Sequence, residues 1–275
     1  MASISLKNVS VSFPIYGAGS ASLKKTLAAS VTGGRFGKET GVTVVQALSG
    51  LNLELRSGDR LGLIGHNGAG KSSLLRLLCA LELPGSGQVL SQGQDLQALP
   101  QGRLRAQRVG MMFQNPDDQI VFPTVEEELA LGLAPLGLPR REALARARGF
   151  LAGRGLAGWA ARAVGALSQG QRQQLCWLAL LLAGPRTLLL DEPFASLDLP
   201  GQARLADDIA ACDRQVVVST HVLDHVRGYG RVIWLHEGHV RADGSGREVC
   251  AAYEAAVARE LADARGARAG MRVAA

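Results

Sequence analysis

The sequence predicts an α/β fold built around a parallel sheet, and three observations predict it. Apolar strand-like runs alternate with helical stretches through the last third: 187–190, a helix around 201–211, then 215–218 and 231–235. A glycine-rich turn, Gly65-His-Asn-Gly-Ala-Gly-Lys-Ser72, stands between an apolar run at 61–64 and a helical stretch opening at Ser73. A third apolar run, Leu188-Leu-Leu, ends on two carboxylates, Asp191 and Glu192.

In chain order, Ile4 and Leu6, then Val9, Val11 and Phe13, form two short alternating runs whose phase switches at Asn8. A bulge makes such a switch. Residues 17–43 carry neither a strand nor a long helix signal and read as an insertion. Within it, Leu23 and Leu27 of Ser22-Leu-Lys-Lys-Thr-Leu27 suit one short basic helix, and Lys24, Lys25, Arg35 and Lys38 suit an anionic surface. Leu51, Leu53 and Leu55 alternate with polar residues, Ser57-Gly-Asp59 turns the chain, and 61–64 reads as a buried strand.

A helix-rich unit is expected over about 115–166. Thr124 stands as the N-cap of Val-Glu-Glu-Glu-Leu-Ala, with Glu127 in place for a capping box, and 140–155 continues helically. Beyond about Arg259 the Ala/Arg/Gly-rich chain is expected to fray or form a loose helix, a flexible tail of 259–275.

The 275 residues suit one large domain or two small ones. With 47% hydrophobic and 20% charged residues, the composition excludes a disordered polymer. The longest apolar run, 175–183, falls short of the ~18–20 residues of a membrane span. Neither a basic start nor an apolar stretch marks the N-terminus as a signal peptide, so a cytosolic location is expected. The 4 cysteines (Cys79, Cys176, Cys212, Cys250) form no C-x-x-C pair, which argues against a zinc site or disulfide framework. Thirty Lys+Arg against 24 Asp+Glu give a net charge of +6. That balance suits an anionic partner or reflects composition alone.

The chemistry concentrates in a few segments. The turn from Gly65 through His66, Asn67, Gly68, Ala69 and Gly70 fits a phosphate cradle, whose glycines let backbone N–H groups converge on phosphate oxygens. Lys71 supplies a charge for the β- and γ-phosphates and the Ser72 hydroxyl a ligand for Mg²⁺, with Ser73 starting the helix. Asp191 suits the same metal, while Glu192 suits general-base work on an attacking water. Adjacent strand side chains point apart, so the two carboxylates take different partners. Ser168, Gly170 and Gln171 start a helix upstream of that strand, a second anion site or a plain serine cap. One phosphate loop does not need two such helix starts, so this one is expected to face another subunit's nucleotide. His221 follows the 216–220 run, where a γ-phosphate could be met. Gln114 follows the 109–112 region, within reach of metal or water.

Together these segments resemble the ATP-binding-cassette ATPases over roughly residues 2–245. The resemblance implies a P-loop nucleotide-binding domain over 1–258, with an antiparallel β subdomain, a RecA-like parallel core and a helical subdomain. It implies ATP and Mg²⁺ as cofactors. Lys71 and Ser72 fall in Walker A, Gln114 in the Q-loop, 167–171 in the signature, Asp191 and Glu192 in Walker B with its catalytic glutamate. Asp198 falls in the D-loop, and His221 is the switch histidine. Gln114 joins Ser72 and Asp191 at the metal. Gln169 stands where the common signature has glycine. In the family an aromatic of the first strand region stacks the adenine, and here Phe13 and Tyr16 are the candidates, Tyr16 foremost.

Residues 1 to about 80, with Val11-Ser-Phe-Pro-Ile-Tyr-Gly17, resemble ATPases of polysaccharide (O-antigen) exporters. From about Gly85 onward, Phe113-Gln-Asn-Pro-Asp-Asp-Gln-Ile120 and Pro123-Thr-Val-Glu-Glu127 resemble energy-coupling factor ATPases, and Glu248-Val-Cys-Ala-Ala-Tyr253 is similar to the biotin-type member. The implied role is the motor of a membrane transporter: a vitamin (biotin-like) or metal-ion importer, with polysaccharide export as the alternative. A repair ATPase of this family would carry a coiled-coil insertion between Walker A and signature, and a translation member usually two cassettes. Implied partners are a second ATPase subunit and integral-membrane subunits at the cytoplasmic face of the membrane, without nucleic acid.

Overall fold

The computed structural model describes residues 4–16, 42–100 and 102–273. The 17–43 insertion lies almost wholly outside the described residues, as do the side chains of Tyr16, Val42 and Thr43.

The chain opens with β1 (Ile4–Tyr16) and β2 (Val42–Leu55), then β3 (Arg60–Ile64), α1 (Lys71–Leu78), β4 (Ser86–Ser91) and β5 (Gln94–Asp95). Next come α2 (Arg103–Arg108), β6 (Val109–Met112), α3 (Val125–Leu131), α4 (Arg140–Ala152) and α5 (Gln169–Ala183). Strand β7 (Thr187–Asp191), α6 (Leu199–Ala211), β8 (Gln215–Ser219), β9 (Arg231–His236), β10 (His239–Gly244) and α7 (Gly246–Val273) complete it.

Two sheets result. A four-stranded antiparallel sheet has the order β2-β1-β4-β5, and a six-stranded sheet the order β10-β9-β3-β8-β7-β6. In the second, β9, β3, β8, β7 and β6 run parallel, with β10 antiparallel at the edge. Strands β7 and β8 are buried along their whole length, which is why they read as unbroken apolar runs with no alternation. The phase switch in β1 is structural: the register slips between Leu6 and Val9, and Asn8 takes a φ of 49°. Its amide donates to Asn52 Oδ1 at 2.9 Å, holding the bulge shut.

The helical unit has its own core. Val125, Leu129 and Leu133 pack with Ala143, Ala147 and Leu151, and with Leu175, Leu178 and Leu182 on one side of α5. The two alanines bring α4 close, and α5 belongs to both layers because its other residues, Cys176, Trp177 and Leu180, join the parallel-sheet core. The expected capping box at Thr124 takes a different form. Its hydroxyl donates to Glu127 Oε2 at 2.7 Å and makes no bond to the helix backbone. Glu127 is held there by Arg140, also at 2.7 Å, so the side chains pair with each other across the turn.

Helix continues through 259–273, the helical one of the two forms expected there. Alanine and arginine are strong helix formers, and the described side chains of 259–265 are exposed, so propensity supports this stretch. All four cysteines are free thiols; burial pushes Cys79 up to about 11 and Cys176 to about 12. Among the described residues, no helix is long and apolar enough to cross a membrane.

Candidate nucleotide site

The glycine-rich turn leaves β3 and enters α1 at the C-terminal ends of the parallel strands, where open α/β sheets gather ligands. Two of its glycines are required by space as well as by conformation. A Cβ on Gly65 (φ 148°) would sit 2.2 Å from the Leu235 carbonyl oxygen, and one on Gly70 (φ 102°) 2.5 Å from that of Ala47. The loop is therefore pressed between β9 and the body of β2 at Ala47. Lys71 opens α1 and bends back over the loop, donating to the carbonyls of Gly65 at 2.7 Å and His66 at 3.1 Å. Burial lowers its pKa, while Glu192 and Asp191 act against that shift. An ammonium has three donors, so two hold the loop and one is left for a ligand.

One cleft collects Gly65, His66, Asn67, Gly68, Gly70, Lys71, Ser72 and Ser73 with Gln114, Asp191, Glu192 and His221. Ala69 is the exception among the loop residues. It is buried in the core, its amide donates to His66 O, and its carbonyl accepts from Gly238.

Asp191 ends β7 and is 5% exposed; its Oδ1 is buried with no hydrogen-bond partner among the described residues. A bare carboxylate oxygen there costs free energy unless a cation answers it. With the Ser72 hydroxyl it forms a small hard-oxygen donor set. Among the described residues, no group of three or more His, Cys, Asp or Glu is arranged to hold a metal ion by itself. The set fits Mg²⁺, which keeps waters and shares its shell with phosphates rather than demanding a protein cage.

Glu192 lies one residue beyond the strand, so strand alternation does not separate it from Asp191. Its left-handed backbone, φ 47°, does so instead. Its amide donates to Ser219 O at 2.9 Å, and its Oε2 lies 2.8 Å from His221 Nδ1. A non-glycine residue in this backbone region is strained, as positioned functional residues often are.

Ser168, Gly170, Gln171 and Asp198 line a second cleft, between α5 and α6, with Ser196 and Leu197. The capping box at α5 is complete: Ser168 Oγ accepts from Gln171 N, and Gln171 Oε1 accepts from Ser168 N. Asp198 caps α6 by accepting from Gly201 N at 2.9 Å. The two helix starts thus serve two separate clefts of one chain.

Sequence reasoning missed Tyr253, Val45 and Ala47, which line the first cleft. Tyr253 arrives on α7, its ring edge-on to Trp234 at 5.2 Å; it ends the segment similar to the biotin-type member, but nothing in that segment's pattern gives it a place in the cleft. Of the two aromatic candidates for adenine, Phe13 packs against the core of the antiparallel sheet, while the Tyr16 side chain lies outside the described residues.

The segment after Gln114 is tied down in several places. Asn115 caps a short turn at Pro116–Asp118, and the Glu128 carboxylate accepts from the amides of Val121 and Phe122 at 2.9 and 2.8 Å. Asp117 pairs with Arg172 of α5 at 2.7 Å, linking this segment to the helix that Ser168 caps.

The family described as ABC transporter matches residues 48–195. Biotin transport ATP-binding protein BioM of Rhodobacter capsulatus is 46% identical over 198 residues, 72% of this chain and 84% of that protein. Energy-coupling factor transporter ATP-binding protein EcfA1 of Symbiobacterium thermophilum is 40% identical over 209 residues, 74% of this chain and 73% of that one. The solved structure of cbiO1 from Clostridium perfringens, described as part of the ABC transporter complex cbiONQ, aligns with a TM-score of 0.68 at 24% identity. It covers 94% of this chain and 93% of that one.

Proposed function

The chain belongs to the ABC transporter family, and from that premise we propose that it is the ATP-hydrolysing motor of an energy-coupling factor importer for a biotin-like vitamin or a metal ion. It is an ATPase. The observation that carries the reading is the convergence of Lys71, Ser72, Gln114, Asp191, Glu192 and His221 on one cleft, while Ser168 and Gly170 face another. The relatives named for biotin transport and for energy-coupling factors support import over polysaccharide export.

ABC ATPases dimerise and work with membrane components. For this chain that division of clefts supports a head-to-tail pair, in which the cap of α5 on one subunit meets the nucleotide held by the loop of the other. Backbone N–H groups of Gly68 and Gly70, the Lys71 ammonium and the start of α1 bind and orient the phosphates. Ser72 and Asp191 would hold Mg²⁺, which supplies charge neutralisation at the β- and γ-phosphates. Glu192 accepts a proton from the attacking water at a carboxylate oxygen. His221, bonded to that carboxylate through Nδ1, fixes its orientation and keeps the other ring nitrogen for the γ-phosphate. The Gln114 segment, joined to α5 through Asp117 and Arg172, gives the nucleotide cleft a lever toward a membrane subunit at the cytoplasmic face.

Purification with the membrane subunits and uptake of labelled vitamin into proteoliposomes tests this reading. ATP-dependent uptake of biotin or of a divalent metal ion is expected. ATP hydrolysis stimulated only by a polysaccharide carrier would overturn the importer assignment.

A further inference from the structure

The loops carrying Glu192 and His221 leave neighbouring parallel strands, Asp191 lying opposite Ser219. They are joined once at the site, by the Glu192–His221 bond, and once again below it. The Phe194 and His225 rings stack with centroids 3.9 Å apart and planes 21° from parallel. Phe194 is 4% exposed and anchored in the core of the parallel sheet. His225 ends the short turn Leu223–His225, which one residue separates from His221, its amide bonded to Val222 O.

Three features make this stack more than filling. Glu192 holds a left-handed backbone, which persists only where neighbours over-determine it, and Phe194 is two residues further along the same loop. The His221 side chain is 60% exposed, so little packing of its own fixes its position. Its loop is held in front by hydrogen bonds, Thr220 N to Leu63 O and Val222 N to Thr220 Oγ1, and behind by the turn that rests on Phe194. The His225 ring is also an expensive way to fill the space: its Nε2 is buried without a hydrogen-bond partner among the described residues. An aliphatic side chain would avoid that orphan but offer no flat face. Burial lowers the His225 pKa, with Asp224 and Glu192 opposing, which favours a neutral stacking ring.

We propose that His225 is a positioning residue for ATP hydrolysis, its ring clamping the Phe194 loop so that Glu192 and His221 stay in register. The proposal rests on the reading of Glu192 as the base. His225 is not among the residues that line the nucleotide cleft. It acts through Phe194 on the angle at which Glu192 presents its carboxylate.

The test uses the full chain and compares His225→Ala, His225→Leu and His225→Phe, with Glu192→Gln as the control on the underlying reading. Steady-state and single-turnover hydrolysis, ATP affinity and thermal melting are measured for each. His225→Ala and His225→Leu are expected to lower kcat about tenfold to a hundredfold, the scale of a small misplacement of reacting groups. KM for ATP should stay within about twofold, because the phosphate loop is untouched. His225→Phe keeps the flat face and is expected to restore kcat to near the parent value. If His225→Ala does not fold, the Leu and Phe pair carries the same contrast. Parent-like kcat in His225→Leu would overturn the proposal, as would a fall in His225→Phe equal to that in Leu. A loss appearing in KM would overturn it too. An active Glu192→Gln would sink the base assignment itself, whatever the His225 variants do.

Discussion

Glu192 Oε2 lies 2.8 Å from His221 Nδ1, although 29 residues separate the two in sequence. The pair is lopsided: the Glu192 side chain is 10% exposed and that of His221 is 60% exposed. A buried acceptor aimed by a more open histidine suits a base that must take a proton from water entering on one side. Asp191, one residue earlier, has an oxygen with no hydrogen-bond partner among the described residues. Neighbouring carboxylates thus differ in their partners, and the turn of the Glu192 backbone divides them.

Glu192→Gln should cut single-turnover hydrolysis by about 10²–10⁴-fold, the usual contribution of a positioned general base. ATP affinity should change little, and an ATP-bound dimer should accumulate. Asp191→Asn should instead weaken Mg²⁺-dependent nucleotide binding, as chelation of Mg²⁺ should in the parent. Titration with a fluorescent ATP analogue, with and without Mg²⁺, separates the two roles; equal loss of binding in both variants would contradict them.

Gly65→Ala should destabilise the fold and abolish ATP binding together. The added Cβ would meet the Leu235 carbonyl oxygen at 2.2 Å, in a backbone conformation that L-residues avoid. Strain of this kind costs about 1–3 kcal/mol even before the clash is counted. Chemical denaturation measures the first effect and nucleotide titration the second. Parent-like behaviour in both would mean that the loop has room the geometry denies.

The Arg148 guanidinium, hydrogen-bonded to Glu126 at 2.5 and 2.9 Å, holds that carboxyl below its ordinary range. A depressed folded pKa contributes stability above the unfolded value and loses it as pH falls through the folded one. Arg148→Ala should therefore raise the Glu126 midpoint, read by NMR. It should also lower stability slightly at neutral pH, as for surface pairs generally. At acid pH, parent and variant should converge. A stability difference that persists there would assign the effect to packing.

Gln114→Ala should impair transport more than ATP binding. Gln114 lines the nucleotide cleft, and the segment it opens is bolted to α5 by Asp117–Arg172 and to α3 by Glu128. Coupling needs an element that both sites bias. Uptake and hydrolysis measured on the same proteoliposomes report the ratio of the two. An equal proportional fall in both would remove the coupling role.

Much of the site was legible because its chemistry is contiguous in sequence. The loop from Gly65 to Ser72, the acidic end at Asp191 and Glu192, and the Ser168 cap each occupy a few adjacent residues. Their meaning follows from strand-to-helix order alone. Asn8 belongs with them, since a slip in alternation is a local event that the backbone must absorb as a bulge. The Thr124 cap was legible in composition but not in form, because Arg140, distant in sequence, decides where Glu127 points.

The sequence by itself determined an α/β nucleotide-binding cassette and most of its phosphate, metal and base candidates, since local spacing dictates backbone N–H convergence and carboxylate placement. Only the tertiary structure decided which of these share a cleft. Strand order sets β3 between β8 and β9, bringing His221 and Glu192 to the phosphate loop while leaving Ser168 and Asp198 beside α6. It also brought Tyr253 to the cleft on α7 and pressed Phe194 onto His225. These contacts join segments distant in sequence, and they form because apolar sheet faces must be covered. That packing is a property of the whole fold and leaves no periodic trace at the residues it unites.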